Sequence, residues 1–90
     1  MVYFTLEIGM QEVSDLTYQL PEEKILLIKP ERTSDRFYGL ISKDYYDDLI
    51  RFLPRECIYS LEIITKAEVV RYTPHINKEA QFYGNINLLT

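Results

Sequence analysis

Ninety residues make one small domain, because chains divide only as length approaches a multiple of roughly 150 residues. With 47% apolar and 27% charged residues, three glycines and four prolines, the composition is globular and excludes disordered and collagen-like chains. The net charge of −4 repels phosphate backbones over the molecule as a whole and disfavours non-specific nucleic-acid binding.

Residues 2 to 8 alternate. Val2, Phe4, Leu6 and Ile8 share one face, while Tyr3, Thr5 and Glu7 share the other, the pattern of a half-buried strand. Residues 10 to 20, after Gly9, fit either one or two helical turns (Val13, Leu16, Leu20) or a strand (Leu16, Tyr18, Leu20). The run Ile25-Leu26-Leu27-Ile28 reads as a central strand covered on both faces, ended by Pro30. Polar residues 31 to 35 form a loop, and a second strand at Arg36 to Ile41 completes a hairpin.

An amphipathic helix is predicted over residues 43 to 53. Ser42 stands as its cap, Asp44 lies in its first turn, and Pro54 follows it. Tyr45, Leu49, Phe52 and Leu53 fall near one face, with Asp44, Asp47, Asp48 and Arg51 on another. Cys57 to Thr65 and Glu68 to Thr73 read as strands joined at Lys66-Ala67, and Gln81 to Leu89 as a final strand.

Leu-Glu-Ile occurs at 6 to 8 and again at 61 to 63, and Phe-Tyr-Gly at 37 to 39 and 82 to 84, in the same order. Two architectures follow, both α+β with an antiparallel sheet against the helix at 43 to 53. One is a pseudo-duplicated, β-rich domain. The other takes residues 10 to 20 as a helix, giving β-α-β-β-α-β over residues 2 to 65, the ferredoxin-like order, with added C-terminal strands. Alternation turns Tyr3, Tyr38 and Tyr83 away from the core on three strands, with Arg36 and Arg71 beside them.

The inventory for catalysis is thin, so no enzymatic activity and no cofactor are expected. His75 follows Pro74 in a polar connection, and neither it nor Cys57 has a partner at metal-ligand spacing. Cys57 follows Arg55 and Glu56; a buried, inert thiol is the expectation, against a thiolate activated by Arg55. No glycine-rich phosphate loop, G-x-S-x-G or paired-cysteine motif occurs. Asp44, Asp47 and Asp48 could hold a hard cation, but a solvated face with Arg51 in reach is the simpler account, and no metal site is expected.

Val2-Tyr3-Phe4 and Arg36-Phe37-Tyr38-Gly39-Leu40-Ile41 faintly resemble the two aromatic strand motifs of RNA-recognition-motif domains. That resemblance implies bases stacking on a sheet face; the chain departs from it with Phe37 where the family has Gly and Leu40 where it has a stacking aromatic.

The expected function is protein docking by a small acidic module, an inhibitor, adaptor or regulatory subunit of a kind that suits a phage or mobile-element product. Its candidate contact residues are Tyr3, Arg36, Tyr38, Asp44, Asp47, Asp48, Arg71 and Tyr83, with a basic protein surface as the partner. The alternatives are a single-stranded RNA or DNA binder using Tyr3, Tyr38 and Tyr83, and a structural homodimer paired through a sheet edge. A lone cysteine and the lack of a long apolar run lead to an expectation of a cytoplasmic protein with no membrane anchor.

Overall fold

A computed structural model covering residues 1–90 shows an α+β fold. Five strands form one antiparallel sheet: β1 (Val2–Glu7), β2 (Ile25–Lys29), β3 (Arg36–Ile41), β4 (Glu62–Ile63) and β5 (Gln81–Gly84), in the order β4-β1-β3-β2-β5. The helices are α1 (Met10–Gln19), α2 (Tyr46–Phe52), α3 (Arg55–Ile58) and α4 (Lys66–Val70), with 3-10 turns at Glu22–Lys24, Lys43–Tyr45 and Ile86–Leu89.

The central run of β2 dictates the layering. Ile25, Leu26, Leu27 and Ile28 are all fully buried, and successive side chains point to opposite faces, so both faces of the sheet must be covered. On the first face Phe4, Leu6, Ile25, Leu27, Phe37 and Ile41 pack with Val13 and Leu16 of α1, Leu49 of α2, and Cys57 of α3. On the second, Leu26, Ile28 and Leu40 pack with Val69 of α4 and Ala80, and Tyr3, Tyr38, Tyr72, Phe82, Leu88 and Leu89 close around them.

Residues 10 to 20 resolve in favour of the helix. Val13 and Leu16 are its buried residues, while Tyr18, which only the strand reading would bury, is 90% exposed. The hairpin of β2 and β3 forms as its alternation requires, with Leu27 opposite Gly39 and Ile28 opposite Tyr38. Gly39 also stands opposite Phe4 on β1, and a Cβ there would lie 2.5 Å from the Phe4 ring, so the missing side chain is the space that ring fills.

Four local expectations change. The helix over 43 to 53 is broken at Tyr45 (φ −109°, ψ 5°) into a 3-10 turn and α2, and the Ser42 side chain makes no cap hydrogen bond. The strand over 57 to 65 shrinks to Glu62–Ile63, because the chain after Pro54 turns into α3. Residues 68 to 73 are not a strand: Thr65 and Glu68 form a reciprocal capping box that starts α4, and this local device outweighs the β-preference of Val69 and Val70. The last strand stops at Gly84, whose φ of +104° turns the chain, and Asn85 Oδ1 accepts from the Asn87 N–H to open a 3-10 turn.

The duplicated-sheet reading fails on these elements. The two Phe-Tyr-Gly segments do flank β2, but Ile28 lies opposite both Tyr38 and Phe82, so the repeats present their aromatic residues to opposite faces.

Two substitutions test this account. Gly39→Ala should cost about 1–3 kcal/mol by forcing Phe4 off its site, read as a lower urea midpoint. Thr65→Ala should cost about 1 kcal/mol through loss of the cap, with Thr65→Ser restoring most of it.

Candidate functional site

The three tyrosines singled out from alternation do not make one surface. Tyr3 and Tyr38 lie on the second face and Tyr83 on the first, where its ring sits 6.3 Å from that of Phe37. The motif strands β1 and β3 are neighbours, but α4 and the segment after it cover the face on which bases would stack. Tyr38 is already in contact with an aromatic partner, Tyr72, at a ring separation of 4.5 Å.

Sequence reasoning missed Tyr72, which appeared only as the penultimate residue of a supposed strand. Burial, followed by the neighbouring Tyr38 phenol, raises its pKa, and Arg71 opposes that shift. Arg36, Tyr38 and Tyr72 line a shallow cleft of about 340 Å³ on this face, with Glu31 and Glu79 also at its walls. The Asn77 side-chain amide donates to the Pro30 carbonyl (3.1 Å) and ties its two loops together. Arg36 is not free there: its Nη2 lies 3.0 Å from Glu7 Oε1 and its Nη1 donates to Thr5 Oγ1 at 3.3 Å. The guanidinium thus braces β3 against β1.

The helix aspartates stand at the surface as the pattern implies. Asp44 and Asp47 are exposed, whereas Asp48 is half-buried and pairs with Arg51 at 3.2 Å. Arg71 is exposed at the end of α4. His75 is exposed in the connection between α4 and β5.

A second cleft, of about 370 Å³, opens where β1 runs into α1 and α3 packs beside it. Four carboxylates line it, from Glu7, Glu12, Asp35 and Glu56, and no lysine or arginine does. Their separation in sequence hid them, since each comes from a different element. No three histidine, cysteine, aspartate or glutamate side chains converge anywhere as metal ligands.

Cys57 lies at this cleft, 8% exposed. Desolvation is the largest cause raising its thiol pKa, with the negative charges of Glu12 and Glu56 adding to it. Arg55 does not lower it, so the environment favours the neutral thiol over a nucleophilic thiolate.

The chain matches no protein-family model, no curated protein and no solved structure. No helix is long and apolar enough to cross a membrane.

A pH dependence follows from Cys57. Because the folded-state pKa is raised, the unfolded chain releases the thiol proton first; the stability contribution is whole below the ordinary thiol value and is lost as pH rises from there through the raised folded-state value. Comparing wild type with Cys57→Ala in urea titrations across that range should show wild type losing more stability at alkaline pH. Alkylation of Cys57 in the folded protein should be slower than in urea, and equal rates at neutral pH would contradict this environment.

Proposed function

We propose that this protein is a non-enzymatic docking module whose surface recognises a basic patch on another protein, as an inhibitor, adaptor or regulatory subunit. The observation that carries this reading is the state of its carboxylates. Of fourteen Asp and Glu residues, only Glu7 and Asp48 are held in ion pairs. The other twelve form no ion pair, and they outnumber the eight unpaired lysines and arginines by four, the net charge of −4. A field of one sign speeds encounter with an oppositely charged partner and rejects like-charged ones, which sets on-rate and specificity more than affinity.

Absence of a stacking platform weighs against the single-stranded nucleic-acid reading, since such binding needs several accessible aromatics on one basic groove. Here the candidate tyrosines are divided between two covered faces.

Affinity capture from lysate of the native source tests the proposal. A specific protein should be retained at low ionic strength and released as salt rises, with retention falling at least about tenfold when carboxylates of the interface are reversed to lysine. Retention of nucleic acid alone, or of nothing except further copies of the chain, would overturn it.

A further inference from the structure

Apolar exposure is concentrated at the margin formed by α3 and β4. Ile58 (36%), Tyr59 (81%) and Ile63 (60%) fall within six residues of one another, a density found nowhere else along the chain. They are also brought to one side of the sheet. The Leu61 N–H donates to the Ile58 carbonyl at 3.1 Å, so the chain doubles back in a single turn between α3 and β4. Ile63 lies opposite Phe4, hence on the first face, where α3 packs.

The backbone here is open as well. Ile64 N–H donates to the Tyr3 carbonyl at 2.9 Å, and alternation along an antiparallel ladder therefore turns the N–H and C=O of Ile63 outward, away from β1. Glu62 and Ile63 form an edge strand with nothing beyond it.

This margin adjoins the four-carboxylate cleft, because Glu56, Cys57 and Ser60 of the α3 segment line its wall. Of the cleft's carboxylates, Glu7 is engaged by Arg36, while Glu12, Asp35 and Glu56 have no ion-pair partner. Arg36, adjacent to Asp35 in sequence, is paired with Glu7 instead, and Arg55 beside Glu56 is exposed and forms no ion pair. The carboxylates do not converge tightly enough for a metal ion, but a cleft of about 370 Å³ has room for a larger organic cation.

We propose that the α3–β4 margin and this cleft form one docking site for an extended segment of a partner protein that carries apolar residues at one end and basic residues at the other. Its arginine or lysine side chains enter the cleft among Glu12, Asp35 and Glu56, its apolar residues cover Ile58, Tyr59 and Ile63, and its backbone meets the free groups of Ile63. The assignment rests on the acidic-docking reading and names where on the surface, and to what chemistry, that docking occurs.

The probe is a capped heptapeptide of three arginines, a glycine and three valines, titrated at low salt into the 15N-labelled protein and followed through its amide resonances. The amides of Gly9, Glu12, Glu56, Cys57 and Ile63 should shift, and the peptide with glutamate in place of arginine should move none of them. Affinity should fall at least about tenfold in Asp35→Lys/Glu56→Lys and in Tyr59→Ser/Ile63→Ser, and hold in Asp44→Lys/Asp47→Lys, each variant's dispersed spectrum showing that it folds. Loss only in the α2 variant would overturn this site and leave acidic docking standing. No binding of the arginine peptide would also overturn it, and the lysate capture would then decide the broader reading separately.

Discussion

Everything in this structure depends on four consecutive aliphatic residues that are buried on both sides of one strand. Ile25 to Ile28 cannot be satisfied by a sheet with one wet face, since removing either cover would expose two large side chains. The helices α1 to α3 serve one face, and α4 with the C-terminal turn serves the other. The molecule is thus three layers deep at only ninety residues, with its C-terminal third used mainly as a cover.

That allocation decides what remains for binding. Tyrosines on β1, β3 and β5 are drawn into the two interfaces between layers, where they pack half-buried against the core. Tyr38 against Tyr72 is the clearest case: a side chain that alternation turned outward is met by a residue from the covering segment. Arg36 is likewise committed, bracing two strands through Glu7 and Thr5. What stays uncommitted is charge on loops and helix ends, and a small apolar margin where the sheet terminates at β4.

Electrostatics and burial act in the same direction at the cleft beside α1. Glu12 and Glu56 discourage ionisation of Cys57, and so does the loss of water around its sulfur. Burial is the larger cause, and the negative potential that adds to it is one that would also attract a cation.

Much of the sheet was legible in the sequence. Strict alternation in Val2 to Ile8, the unbroken aliphatic run at 25 to 28 and the hairpin into Arg36 to Ile41 each reflect period-two geometry that a strand imposes on its own residues. The apolar face of residues 43 to 53 was equally visible, although not the break at Tyr45. The capping box at Thr65 and Glu68 was a local signal too, overlooked beside the β-branched pair that follows it. By contrast, which outward residues stay outward was decided by tertiary structure alone. A half-buried strand declares two faces but not whether another segment will cover the second, and that depended on α4 packing Val69 onto Leu26, Ile28 and Leu40. The cleft carboxylates, drawn from residues 7, 12, 35 and 56, share no spacing that any single element's periodicity could reveal. Local sequence determined the strands and the composition of their faces; long-range packing determined which of those faces meets water.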